Sequence, residues 1–181
     1  MATPTTAPIC SRSPEALLCK YLSLRGNKVL GQADAVSIVY SLYHNRIRAT
    51  LLPSLDEFIR TVFERSHQPA SVCLVALIYL QRLKSCLPKH AKGEIDTPYR
   101  LFLAAILTAS KFLCEAGTAL TSENVAKMTD YVYSYRDVNL MERSFLSLIG
   151  YELFVCVEDV KEYLALHEEL LDMDFALLSS L

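Results

Sequence analysis

Nine consecutive apolar residues, Val72 to Leu80, lie inside a stretch whose spacing and length read as helix. A helix that is apolar on every side cannot rest on a surface, so other elements must enclose it. A second such run, Leu101 to Leu107, follows one polar loop later. Two enclosed helices in succession call for further helices packed around both. No strand alternation with hairpin turns accompanies them, and no repeat appears at solenoid spacing. The predicted fold class is therefore all-α. The longer run is too short to cross a bilayer, and the N-terminus lacks a basic stretch followed by an apolar one. A soluble intracellular protein without a secretory signal is expected.

The remaining helices are read from caps and periodicity. Residues 1–13 are rich in Thr, Pro, Ser and Ala and predict a disordered lead-in. Residues 14–51 carry two amphipathic stripes, Leu17, Leu18, Tyr21, Leu22 and then Val36, Val39, Tyr40, Tyr43, Ile47, read as N-terminal flanking helices. Ser54 after Pro53, with Glu57 three residues on, is a capping-box pattern that starts the first helix of a central domain. That helix ends before Pro69. The second spans about Ala70 to Ser85, and the third runs from Pro98 to about Ala116. Thr121 or Ser122 can cap a fourth, which turns Val125, Ala126 and Met128 inward. Ser134 with Asp137 can cap a fifth, ending at Gly150. Glu152 to Val155 reads as extended. A last helix places Val160, Tyr163, Leu164, His167 and Leu171 on one side, followed by a Phe175, Leu177, Leu178 cluster. Residues 52–156 are thus a five-helix domain, and 157–181 a C-terminal flanking helix and tail.

A formal charge of −2 gives no basic field to draw the chain to nucleic acid or an anionic membrane. Lys84, Lys89, Lys92 and His90 read as a solvated loop. Among six cysteines no CxxC pair occurs, which argues against a zinc site or disulfide frame. Cys73, Cys86 and Cys114 read as small buried hydrophobes. There is no HExxH, no Gly-rich phosphate loop and no kinase catalytic-loop signature, so no enzyme, cofactor, metal or small-molecule substrate is predicted. Tyr131, Tyr133 and Tyr135 alternate, with two expected to pack and one to cap an edge.

Two charges interrupt apolar faces. Lys111 stands one turn beyond Leu107 on the enclosed third helix, and Glu142 breaks the row Val138, Phe145, Ile149 on the fifth. Each must find a partner, reach solvent or shift its pKa. Lys111 can snorkel outward or pair with Glu115 one turn on, in the weaker Lys-before-Glu order. Glu142 can sit at a rim beside Arg143 or Arg136. Alternatively the two meet in space and jointly present hydrogen-bonding groups to another protein.

Ala109-Ser110-Lys111-Phe112, Leu140-Met141-Glu142-Arg143-Ser144-Phe145-Leu146 and Gly150-Tyr151-Glu152-Leu153 together resemble a cyclin box. Leu55-Asp56-Glu57-Phe58-Ile59-Arg60, Tyr79-Leu80-Gln81-Arg82-Leu83-Lys84 and Tyr99-Arg100-Leu101-Phe102-Leu103-Ala104 are more closely similar to the fungal Pcl-type, phosphate-control cyclins. Where many of those carry Asn-Lys-x-Trp at the fourth helix, this chain has Ser122-Glu123-Asn124-Val125 and no Trp. The methionine-arginine-led first-helix motif that cell-cycle cyclins use for substrate docking is also absent.

The resemblance implies a single cyclin box and a heterodimer with a cyclin-dependent protein kinase. In that family the Lys and Glu matching Lys111 and Glu142 form a pair that bonds to the kinase backbone near its regulatory helix. Phe112, Leu146, Tyr151 and Leu153 would make the flanking apolar contacts. Holding that helix inward completes the kinase's own Lys–Glu ion pair, so the chemistry would be the kinase's. The rival readings are a cyclin-fold transcription scaffold that contacts DNA and an adaptor that activates no kinase. Clustered Arg and Lys, which the first would need, are not evident.

Overall fold

The computed structural model describes residues 52–88, 93–115 and 117–166. The N-terminal elements of 14–51, the Lys89–His90–Lys92 loop, and His167, Leu171, Phe175, Leu177 and Leu178 lie outside the described residues. Six helices and no strand occur within them: α1 Leu55–Ser66, α2 Ala70–Cys86, α3 Thr97–Leu113, α4 Ser122–Met128, α5 Tyr135–Leu148 and α6 Val157–Ala165. The order and bounds follow the caps and periods of the sequence closely.

Each start has a local cause. Ser54 Oγ accepts the Glu57 backbone N–H at 3.3 Å, while Asp56 and Glu57 lie in the positive first turn of α1. Reciprocal capping boxes open α4, between Thr121 and Asn124, and α5, between Ser134 and Asp137. Asn124, in the Ser122-Glu123-Asn124-Val125 stretch, closes the α4 cap. Pro98 sits in the first turn of α3, where its missing N–H is harmless.

Helices α2 and α3 are the enclosed pair. Every residue from Val72 to Leu80 is buried, as is every residue from Phe102 to Ser110. The α3 helix packs against α2 most extensively and α5 next, and it also meets α1 and α4; α6 covers α2. Removing these side chains from water is the main favourable term. Val125, Ala126 and Met128 turn inward as expected, and Tyr163 and Leu164 of α6 are buried. Glu152 to Val155 is non-helical and belongs to no strand.

Three expectations need correction. The α3 helix stops at Leu113, three residues short of Ala116. A polar knot turns the chain there. Ser110 Oγ donates to Gln68 Oε1 at 2.7 Å and accepts the Leu120 N–H at 2.8 Å, drawing the following loop back onto the α1–α2 turn. Gly117, at φ 104°, supplies the reversal in that loop. Cys86 is exposed, because it falls in the last turn of α2 beyond the covering helices, whereas Cys73 is buried and Cys114 half-buried. Of the three alternating tyrosines only Tyr133 packs inside; Tyr131 and Tyr135 are exposed. Alternation places Tyr131 and Tyr133 on one side only in a strand, and this segment is a helix-ending turn.

That turn is built in detail. The Tyr131 N–H reaches Ala126 O at 2.8 Å and the Asp130 N–H reaches Lys127 O at 3.0 Å, with Asp130 at φ 49°: a Schellman end with Asp where Gly is usual. Arg65 of α1 donates to Met128 O at 2.7 Å and to Asp130 Oδ2 at 3.0 Å. Both charges of that ion pair are well exposed, so the carbonyl it satisfies at the end of α4 matters more than the pair itself.

Ser110 is fully buried and links two segments at once, which makes its hydroxyl testable. Ser110→Ala leaves the Leu120 N–H without its acceptor. The expected loss is about 1–3 kcal/mol of unfolding free energy, read from urea denaturation of wild type and variant.

Candidate protein-binding face

The last turn of α3 leaves the core as it ends. Ser110 is fully buried; Lys111, Phe112 and Leu113 are exposed. Lys111 does not pair with Glu115. Its ammonium crosses to α5 and donates to both carboxylate oxygens of Glu142, at 2.8 Å each. Glu142 is not beside Arg143 or Arg136 as a simple rim carboxylate either. Its side chain is 13% exposed and that of Lys111 42%, so the carboxylate is sunk and the ammonium stands at the surface. The large penalties known for breaking fully buried pairs do not transfer to a pair this wet.

Packing dictates this geometry. Val138, Phe145 and Ile149 bury the core side of α5, and Glu142 falls at the edge of the same row. Helix α5 lies against α3, so the edge faces the α3 terminus. An ammonium carries three protons, so the two bonds to Glu142 leave donor capacity at the surface.

From Glu142 the apolar surface continues in both directions. Phe112 is 44% exposed on the α3 side. Leu146, one turn beyond Glu142, is half-buried. Its carbonyl accepts the Tyr151 N–H at 2.9 Å and Ser147 O accepts the Gly150 N–H at 3.2 Å, a second Schellman end, with Gly150 at φ 63°. Tyr151 follows, also at positive φ, and is 67% exposed. The four residues Lys111, Glu142, Leu146 and Tyr151 are thus linked in sequence by hydrogen bonds and one helical turn. Leu153 is half-buried and packs against the core, so it supports this face from behind more than it lines it.

Two residues not singled out as site residues hold the far end in place. Tyr79 on α2 donates its hydroxyl to Leu153 O at 2.7 Å. Arg82, one turn on, donates to Glu152 O at 2.8 Å and to Asp159 Oδ2 at 3.2 Å. Asp159 in turn accepts the Cys156 N–H at 2.9 Å, and that bond holds its carboxyl below the usual range, with Arg82 adding a smaller pull. Burial pushes the Tyr79 phenol up from 10.0 to about 12, partly offset by Arg82. Both lie in the Tyr79–Lys84 stretch already noted for its resemblance. Their spacing gave no sign of what they would hold. Leu113, Leu148, Phe154 and Val157 are further exposed apolar residues that the sequence did not mark.

No group of three or more His, Cys, Asp or Glu side chains suited to a metal occurs among the described residues. None of the described helices is long and apolar enough to cross a membrane. The cyclin family model matches residues 31–153, more than half of the chain. The chain belongs to the cyclin family. Over 111 residues it is 35% identical to PHO85 cyclin-1 of Saccharomyces cerevisiae, covering 61% of this chain and 39% of that one. PHO85 cyclin-9 of the same yeast is 26% identical over 122 residues, 67% of this chain and 40% of the relative. Cyclin-U4-3 of Arabidopsis thaliana is 28% identical over 110 residues, 61% and 48% respectively. The cyclin described here therefore spans less than half the length of each of these relatives.

Gly150 and Tyr79 give two checks on how this face is held. Gly150→Ala forces a Cβ into left-handed backbone, where open space gives it no steric clash to blame. A loss of roughly 1–2 kcal/mol in urea unfolding is expected from the backbone alone. For Tyr79, the unfolded chain ionises near pH 10 while the folded protein keeps the proton to about 12. The unfolded state then binds fewer protons, so stability falls as pH rises through that window and is intact below it. Urea midpoints at about pH 9 and about pH 11 should diverge more for wild type than for Tyr79→Phe.

Proposed function

We propose that this cyclin is the regulatory subunit of a cyclin-dependent Ser/Thr protein kinase of the phosphate-control class, the class named by its yeast PHO85 cyclin relatives. The observation that carries the reading is the Lys111–Glu142 pair: a sunk carboxylate gripping an ammonium with one proton left over, edged by exposed Phe112 and Tyr151. A pair serving the fold alone would gain nothing from exposed aromatic neighbours. Aromatic anchors around a charged hydrogen-bonding group are where interface energy concentrates.

The chain supplies no chemistry in this scheme. It binds the active kinase conformation more tightly than the inactive one, and that difference is the whole of its effect. Holding the kinase's regulatory helix inward brings a Glu on that helix to the active-site Lys that orients ATP phosphates. Lys111, Glu142, Phe112, Leu146 and Tyr151 make the contact, with Leu153 behind them. The pathway served would be cell-cycle, morphogenesis or nutrient control.

Co-purification with the PHO85 kinase and other cyclin-dependent kinases, followed by a kinase assay, tests this. Wild type should bind and activate one of them. Lys111→Ala and Glu142→Ala should each weaken binding about 100-fold, roughly 2.7 kcal/mol, with both variants still folded by circular dichroism and Lys111→Ala melting somewhat lower because it strands the sunk carboxylate. Equal binding by folded variants, or no binding by wild type, would remove kinase activation and favour an adaptor. Steeply salt-sensitive DNA binding would favour the transcription scaffold.

A further inference from the structure

Helix α5 carries a second surface feature on the flank that holds Glu142. Tyr135, its first residue, is 46% exposed. Arg136 Nε donates to the Tyr135 hydroxyl at 3.1 Å, and its guanidinium lies 5.8 Å from the ring centroid. Neither side chain is needed to start the helix, since Ser134 and Asp137 make that cap between them. Arg136 joins no ion pair among the described residues, and four of its five N–H donors remain after the bond to Tyr135.

Helical spacing fixes where this pair stands. Tyr135, Glu142 and Leu146 are separated by seven and then four residues, which keeps all three on one side of α5. Tyr135 is about 10 Å from Glu142 along the axis. Asn139 lies between them and is occupied by Ser122 of α4, whose hydroxyl donates to it at 2.7 Å. A protein that covers Glu142 and Leu146 therefore meets Tyr135 next along the same line, with the Arg136 guanidinium held at its hydroxyl on the outer side of the helix.

We propose that Tyr135 and Arg136 form a second contact pole for the same kinase, distinct from the Lys111–Glu142 pole, and that it selects among kinases. The ring offers a flat apolar surface whose hydroxyl end is already held by the guanidinium. Little side-chain freedom is then lost on binding, a condition that favours Tyr and Arg as anchors. The free guanidinium edge takes a carboxylate. The matching kinase segment thus carries an acidic residue beside an apolar one. This inference rests on the kinase-binding reading above.

The test uses the full chain and the kinase panel of the previous subsection, with binding measured at low and high salt. Tyr135→Ala and Arg136→Ala should each weaken the preferred kinase about tenfold, and Arg136→Glu more, while less favoured kinases change little. Circular dichroism melting should match wild type for all three. Leu148→Ala is the control: that side chain is also exposed on α5 but its spacing puts it on a different side from both Tyr135 and Arg136, and it should bind as wild type does. If Lys111→Ala weakens binding while the Tyr135 and Arg136 variants match wild type, the second pole is overturned and the kinase reading stands. Equal weakening of every kinase, or a Leu148→Ala effect as large, removes the selective role. If wild type binds no kinase, both readings fall.

Discussion

Helix α3 is enclosed from Phe102 to Ser110 and then, within one residue, becomes a surface. Everything else in the described fold depends on how that transition is managed. The enclosed part requires α2, α5, α1 and α4 around it, because a helix apolar on all sides is unstable against water. The exposed part requires that the chain leave the bundle cleanly, and Ser110 with Gln68 does this by tying the departing loop to the α1–α2 turn. Lys111 then emerges at a fixed height, level with Glu142 on the neighbouring helix. Moving the exit by one residue would rotate Lys111 by about 100° and carry it off the carboxylate.

The same economy appears at the C-terminal ends of α4 and α5. Two Schellman turns, after α4 and after α5, each put a tyrosine at positive φ immediately behind the left-handed residue. One has Gly150 in the left-handed position, where such backbone is free of strain. The other has Asp130, whose left-handed backbone is less favourable and which Arg65 contacts from α1. Both tyrosines, Tyr131 and Tyr151, come out exposed. Partial desolvation of the Tyr131 phenol, then the charge of Glu123 and the bond its hydroxyl donates to that carboxylate at 3.2 Å, raise its pKa.

Much of this was legible in the sequence, for a physical reason. Caps act locally, so Ser54, Thr121 and Ser134 announced their helices without reference to the rest of the chain. The apolar runs reported enclosure directly. Glu142 stood out because one charge in the row Val138, Phe145, Ile149 contradicts three neighbours. That Lys111 meets it, and not Glu115, was an open alternative settled by the approach of α3 to α5. What the sequence hid was non-local. Arg65 reaching Met128, Arg82 reaching Glu152 and Gln68 reaching Ser110 each join residues more than forty positions apart, with side chains that look like ordinary surface polar groups. Cys86 and the number of packed tyrosines among Tyr131, Tyr133 and Tyr135 were misjudged for the related reason that exposure depends on which helix end a neighbour happens to cover.

These long-range polar contacts share one property that bears on function. None is in the middle of the core; each fastens a helix end or a loop to the bundle. Tyr79 and Arg82 fasten the segment that carries Tyr151, Ser110 and Gln68 fasten the end of α3, and Arg65 fastens the end of α4. A core of this kind would hold its helices without them, since its apolar packing is already continuous. What it would not hold is the angle of each chain exit. The exits at Lys111 and Tyr151 are where the exposed aromatic residues and the sunk carboxylate come together. The binding face proposed here is made from chain ends, and such a face gains from being stiff beforehand, because ordering it on contact would be subtracted from affinity. In this cyclin the apolar helices make the fold, and a few buried or half-buried polar groups make the face.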